Sequence, residues 1–275
     1  MQQPPTADTP ENWGAASRGY ADHVAPVLMQ PYVQEFIDRL GASSDHEALE
    51  IAAGSGILTA PLAERVKTLL ATDFSAPMLD VLRERMREAG VSNVTVEQMD
   101  GQALNVEDAS FDRAACSFGL MLFPDRKKGF SELRRVLRPG GRAMVSAWAG
   151  PDKFEAFGLF LSAMKAALPD MPPPPAPPPV FSLADPAKFK AEMEAAGFRD
   201  VTVDYVSRSF EIPDFETAWT MFTAGAPPVQ MLFDRVGAEG KRRIHDALAS
   251  IIEDRYGGDP IRLDNVATVG SGNVA

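Results

Sequence analysis

The chain has 275 residues, with 27 Lys and Arg against 38 Asp and Glu, for a formal charge of −11. That acidic balance argues against a duplex nucleic acid partner, and no apolar run approaches the roughly 20 residues of a membrane span. Hydrophobic content of 45% and charged content of 24% exclude a disordered or collagenous chain. One cysteine can close neither an internal disulfide nor a cysteine-rich zinc site, so no metal is expected. The first residues, MQQPPTADTPENW, lack the basic-then-apolar pattern of a secretory signal. A cytoplasmic globular protein is the expectation.

Residues 1–10 are polar and proline-bearing and read as a loose arm. Helices are predicted near 11–23 and 27–41. In the second, Val33, Phe36, Ile37 and Leu40 recur at helical spacing, and Gly41 is a natural stop. From residue 48 the period changes. Ala48–Ile51 is a short apolar run ending in Ala52-Ala53-Gly54-Ser55-Gly56, followed by a helical stretch from Ile57 to Val66. A second strand, Leu69–Thr72, ends in Asp73. A helix from Ala76 to Gly90 follows, with Met78, Leu79, Leu82 and Met86 on one face. Val94–Glu97 and Phe111–Cys116 read as strands, Pro124–Leu137 as a helix, Pro139-Gly140-Gly141 as a turn, and Arg142–Trp148 as a fifth strand. Strands alternating with helices over this span predict an α/β fold with a parallel sheet covered on both faces.

Beyond residue 150 the rhythm loosens. A helix is expected near 153–168. Seven of the eight residues from Pro172 to Pro179 are proline, which makes that stretch extended and stiff. A helix near Pro186–Ala196 precedes a strand near 201–210, in which Val201, Val203 and Tyr205 alternate with polar neighbours. Residues 214–256 read as two or three helices, 261–269 as a last strand, and Gly270-Ser271-Gly272 as a flexible tail. The organisation expected is an N-terminal arm and helices (1–46), a ligand-binding core (47–150), and a completing segment (151–275). The core is close to neutral, with 13 basic and 14 acidic residues, so the acid excess lies in the flanking segments.

The most informative stretch is Leu49-Glu50-Ile51-Ala52-Ala53-Gly54-Ser55-Gly56, a strand entering a glycine turn. Gly54 and Gly56 let a ligand approach the backbone, and a following helix N-terminus offers N–H groups to an anion. Asp73 lies 17 residues beyond Gly56, where an acid holds a ribose diol in Rossmann-like folds. Asp100, in Met99-Asp100-Gly101-Gln102, follows the third strand. Taken alone, Asp73 is a helix cap and Asp100 a turn residue. Their order at successive strand ends predicts an adenosine-type ligand at the carboxyl edge of the sheet. A nicotinamide fingerprint needs a third glycine where Thr59 stands. The ligand is therefore expected to place no pyrophosphate on this turn.

These residues resemble a class I S-adenosylmethionine-dependent methyltransferase, similar to bacterial small-molecule enzymes related to those of ubiquinone and menaquinone biosynthesis. Glu50, Gly54 and Gly56 match the first motif, with Ala52 in place of its first glycine. Asp73-Phe74-Ser75 and Met78 match the ribose and adenine segment, and Asp100 the adenine-contacting acid. Phe111-Asp112, Phe118–Asp125 and Leu133–Gly141 match the fourth strand, its exit and the lead-in to the fifth. The resemblance implies a Rossmann-like, seven-stranded, mostly parallel sheet whose last strand is antiparallel, with 214–256 inserted as a helical lid. It also implies S-adenosylmethionine as cofactor, held by Tyr20, Glu50, Ala52, Gly54, Ser55, Gly56, Asp73, Phe74, Ser75, Met78, Asp100, Gly101, Gln102, Ser117 and Phe118.

Methyl transfer from a sulfonium is an in-line displacement that needs alignment and exclusion of water more than acid–base help. Trp13, Tyr20 and Phe118 are candidates to face the cation. Trp13, His23, Met121 and Trp148 are the candidates to contact a small, partly apolar acceptor. Leu122 and Phe123 read more simply as core, and His46 and His245 as surface residues. No catalytic base is assigned. A nicotinamide oxidoreductase and a non-catalytic cofactor-binding module are the alternatives, and the lid surface could pair two copies in a homodimer.

Overall fold

The computed structural model describes residues 8–172 and 178–275. Most of the expected N-terminal arm (1–7) and the centre of the proline run (173–177) lie outside the described residues. Residues 8–10 are not loose. Thr9 Oγ1 accepts from the Asn12 N–H and caps α1 (Pro10–Gly19).

After α1 the chain makes one π-helical turn (Tyr20–Val24), then α2 (Ala25–Leu28), a 3-10 turn (Gln30–Tyr32) and α3 (Val33–Leu40). The expected helix over 27–41 is thus broken, because Pro31 has no N–H to continue it. Val33, Phe36, Ile37 and Leu40 are all buried, and Gly41 ends α3 in the left-handed region at φ 63°.

Seven strands form one sheet: β1 (Glu47–Ile51), β2 (Thr68–Asp73), β3 (Val94–Gln98), β4 (Phe111–Ser117), β5 (Leu137–Trp148), β6 (Arg199–Ile212) and β7 (Ile261–Asn273). Their order is β3-β2-β1-β4-β5-β7-β6. β1 to β5 pair in parallel, and β7 runs antiparallel to both β5 and β6. This is the Rossmann-like sheet that the resemblance implies. The order reverses between β1 and β4, which opens a crevice at their carboxyl ends.

The helices α4 (Thr59–Ala63), α5 (Ala76–Glu88), α6 (Arg126–Arg135), α7 (Glu155–Ala167) and α8 (Pro186–Ala195) complete the layers. α3 packs on β4 and β5, α4 and α5 on β2, and α8 on β6 and β7. α4 is much shorter than the 57–66 helix expected. In α5, Met78, Leu79, Leu82 and Met86 are buried as their spacing predicts.

Two expectations fail at the carboxyl end. Gly270-Ser271-Gly272 is not a tail. It pairs with Val145, Met144 and Ala143 inside the sheet. Glycine serves packing here: a Cβ on Gly270 would lie 2.9 Å from the Met193 Sδ and from the Phe189 ring, so α8 rests on bare backbone. On β6, Tyr205 is exposed, while Val206, Phe210 and Ile212 turn inward on the opposite face. The expected alternation holds only at Val201 and Val203.

Between β6 and β7 lie α9 (Phe215–Ala224) and α10 (Pro227–Tyr256), the latter kinked at Gly237. α10 packs along α7, and α9 packs on the π turn. No helix among the described residues is long and apolar enough to cross a membrane.

Candidate active site

A cavity of approximately 370 Å³ sits at the topological switch point, within the size range of small-molecule sites, roughly 300–1,000 Å³. Its floor comes from four strand ends. β1 contributes Ala52 and Gly54. β2 contributes Asp73 and Phe74, backed by Met78 of α5. β3 contributes Met99, Asp100, Gly101 and Gln102, and β4 contributes Ser117, Phe118 and Gly119.

Asp73 is 5% exposed. Its Oδ2 accepts from the Gly54 N–H and its Oδ1 from the Ser75 N–H, both at 2.9 Å. One carboxylate therefore fixes both the glycine loop and the start of α5. Burial pushes its pKa up to about 6, against the pull of these backbone N–H groups. Glu50 lies deeper, at 1% exposure, where the Thr59 hydroxyl donates to Oε2 at 2.7 Å. Burial raises its pKa to about 8, so it holds its proton at neutral pH. Asp100 closes a turn by accepting from the Gln102 N–H at 2.9 Å, and Gln102 Oε1 accepts from the Asp125 N–H.

The rim carries backbone strain. Ala52 and Phe118 both adopt left-handed φ, 52° and 54°. Ala52 thus keeps the glycine-like conformation of the motif at a cost of about 1–2 kcal/mol. Phe118 is held there by its N–H, which donates to the Ser146 carbonyl and hydroxyl, and by stacking on Trp148 at 4.2 Å. The Ser117 Oγ is buried with no hydrogen-bond partner among the described residues, and Ser117 lines the cavity.

The roof is N-terminal. Asp8, Pro10, Trp13 and Tyr20 line the cavity. Trp13 and Tyr20 meet edge to face at 5.4 Å, and the Trp13 indole N–H donates to Asp8. Burial, with the Asp73 charge nearby, raises the pKa of the Tyr20 phenol. The Ser75 hydroxyl donates to the Pro10 carbonyl at 3.1 Å, tying α1 to the turn after β2.

Among the sequence-predicted residues, Glu50, Ser55, Gly56 and Ser75 support the floor from below and do not line the cavity. Three acceptor candidates are placed elsewhere. His23 is exposed, because a π turn winds with more residues than an α turn and a residue three positions after Tyr20 does not return to its face. Met121 is turned into the core by a 3-10 turn (Leu120–Leu122), where its carbonyl accepts from the Ser182 hydroxyl. Trp148, 2% exposed, is sandwiched between Phe118 and Phe154, at 4.2 and 4.3 Å. Leu122 and Phe123 pack against the core as expected, and with Pro124 they also line the cavity. Pro124 holds Phe123 extended, at φ −65° and ψ 131°, and swings the chain back over the site. His245 is wedged between Phe215 and Trp219, so it is not a plain surface residue.

Residues 48–141 match the family described as a methyltransferase domain. Over this region the demethylmenaquinone methyltransferase of Clavibacter sepedonicus is 41% identical across 103 residues, 38% of this chain and 41% of that protein. The chain thus carries, over residues 48–141, a methyltransferase domain similar to that of the demethylmenaquinone and ubiquinone/menaquinone methyltransferases. It spans less than half the length of the bacterial curated relatives that it matches over this domain. Among solved structures, the [4+2]-cyclase SpnF is similar over 100% of this chain and 99% of its own, with a TM-score of 0.64 and 16% identity. Phosphoethanolamine N-methyltransferase 2 of Haemonchus contortus, solved with phosphomonomethylethanolamine and S-adenosylhomocysteine, covers 98% of this chain and 59% of its own, with a TM-score of 0.59 and 16% identity. These two likenesses concern the fold. The methyltransferase-domain match over residues 48–141 speaks against the nicotinamide alternative.

Proposed function

We propose that this methyltransferase passes the methyl group of S-adenosylmethionine to an O, N or C nucleophile of a small, partly apolar acceptor that is neutral or cationic. The observation that carries the acceptor class is the cavity wall. Among the described residues it contains three carboxylates (Asp8, Asp73 and Asp100) and five aromatic side chains, and no Lys, Arg or His. An anion placed there has no counter-charge in the lining.

The residues fit the cofactor. Asp73 and Gly54 form a preset hydrogen-bonding corner for a ribose, Asp100 lies one strand further along for the adenine, and the Ser117 hydroxyl awaits a polar partner. When bound, S-adenosylmethionine supplies an activated methyl group for in-line displacement. The protein's own residues orient and enclose. Trp13, Tyr20 and Phe118 line the cavity, where a ring face can meet a positive centre. Leu122, Phe123 and Pro124 give the acceptor an apolar wall and exclude water. With His23 at the surface, no histidine among the described residues lines the cavity, so proton loss from the acceptor falls to solvent or to a carboxylate.

Calorimetric titration with S-adenosylmethionine and S-adenosylhomocysteine tests the cofactor, and absence of heat for both sinks the reading. A panel of phenols, quinones and amines, set against phosphorylated and carboxylated counterparts, tests the acceptor class. Turnover confined to the anionic members overturns it, and no turnover on any member favours a binding module.

A further inference from the structure

The roof and the glycine loop enclose one cavity from opposite sides, yet they come from distant parts of the chain. One side chain reaches both. Arg85, in the last turn of α5, donates from Nη2 to the Ala21 carbonyl at 2.6 Å. The same nitrogen lies 3.4 Å from the Asp22 carboxylate. Its Nη1 reaches the Ser55 carbonyl at 3.4 Å and the Ser55 hydroxyl at 3.5 Å. Ala21 and Ser55 are both buried, at 0% and 2% exposure.

The two ends of this bridge are the parts that shape the cavity. Ala21 and Asp22 belong to the π turn that begins at Tyr20. Ser55 stands between Gly54, which lines the cavity, and Gly56. A π turn is an uncommon local geometry, often found at functional sites. Its geometry here places a backbone carbonyl where a guanidinium can take it. Behind the turn, the α9–α10 linker leaves little room, since a Cβ on Gly225 would lie 2.6 Å from the Tyr20 Cα. Gly225 and Trp13 thus pack against Tyr20 itself, and Arg85 holds the Ala21 carbonyl next to it.

We infer that Arg85 is a positioning residue that couples the Tyr20 roof to the glycine loop, so that a cofactor ordering one orders the other. The inference rests on the cofactor reading above. Arg85 itself does not line the cavity. It acts through two segments that do. A planar fork with several donors suits this task, because it can bind two carbonyls and a carboxylate at once. A lysine ammonium at the same site keeps the charge but lacks the reach of the fork.

The test uses the full chain with S-adenosylhomocysteine as the probe. Affinity is measured by calorimetry for the wild type, Arg85→Met and Arg85→Lys. Amide hydrogen exchange of residues 20–24 and 53–56 is followed with and without ligand. In the wild type the ligand slows exchange in both segments. In the variants affinity falls about tenfold, the size of a lost charge-assisted hydrogen bond. In them the ligand still slows exchange over 53–56 and no longer over 20–24. A merely structural arginine would lower the melting temperature without uncoupling the two segments. Arg85→Lys keeps the experiment decisive if Arg85→Met fails to fold. Affinity within about twofold of wild type, or ligand protection of both segments in Arg85→Lys, overturns the clamp and leaves the cofactor reading standing. A wild type that binds no S-adenosylhomocysteine overturns both.

Discussion

Asp73 shows how one side chain can serve structure first and ligand second. Its two oxygens already bind the Gly54 and Ser75 N–H groups, and burial holds its pKa near 6. A ligand that hydrogen-bonds to the carboxylate selects the ionised form. Affinity for S-adenosylhomocysteine is therefore expected to fall as pH drops below about 6, by up to about tenfold per unit. Asp73→Asn should weaken binding and remove that pH dependence, and an unchanged slope in calorimetry would count against the ribose role. Ala52 and Gly119 make a second local argument. A Cβ on Gly119 would collide with the Ala52 methyl, because Ala52 points its side chain there from a left-handed backbone. Gly119→Ala should cost about 2 kcal/mol by overpacking. Adding Ala52→Gly should recover at least half, which chemical denaturation of the single and double variants will show. Additive losses would mean that the two sites do not touch in solution.

At the scale of elements, the α9–α10 insertion, which does not line the cavity, meets the roof through its linker as well as its helices. Gly225 has φ −144° at the end of α9, so alanine is conformationally allowed there, but its Cβ would press on the Tyr20 backbone and on Val24. Gly225→Ala should lower the melting temperature and raise the KM for the methyl donor several-fold, with kcat less affected, because it displaces the roof and not the acceptor wall. An unchanged donor KM would uncouple the insertion from the roof. The parallel core was legible because β1, β2 and β4 are short apolar runs between glycine and acidic turns, and that pattern has few other solutions. Most of the cavity floor was legible for the same reason, since each of those residues follows a strand. What stayed hidden depended on contacts between distant residues. The glycines of β7 read as flexible because nothing local reveals that α8 will rest on them. Trp148 and Met121 read as site residues because strand ends are exposed in a bare sheet, whereas here Phe154 and Ser182 cover them. Asp8 was lost in a segment read as loose, although Thr9 followed by Pro10 was a readable helix start.

Across the whole molecule, the acid excess is handled in two opposed ways. Outside the site, several carboxylates are paired. Glu47 and Asp112 share Arg138, and Glu132 binds Arg135, each carboxyl held below its ordinary pKa. Such groups stabilise the fold above their unfolded pKa values and lose that contribution as pH falls through the lower folded ones. Glu50 and Asp73 work in the other direction. Their folded pKa values, about 8 and about 6, stand above the ordinary 4.5 and 3.8. Between those limits the folded state binds more protons than the unfolded one, so stability declines as pH rises, at up to about 1.4 kcal/mol per pH unit per group. The ligand-free protein should therefore melt highest on the acid side of neutrality, and its melting temperature should fall from about pH 5 towards pH 8. Glu50→Gln keeps the shape and can still accept from Thr59, but it has no proton to lose, so it should flatten that decline between pH 6 and 8. Thermal melts across this range decide the matter: a wild-type curve as flat as that of the variant would mean that Glu50 ionises normally. The same asymmetry fits the site's task, because Glu50 stays behind the floor while Asp8, Asp73 and Asp100 are the carboxylates that line the cavity a positively charged cofactor would enter.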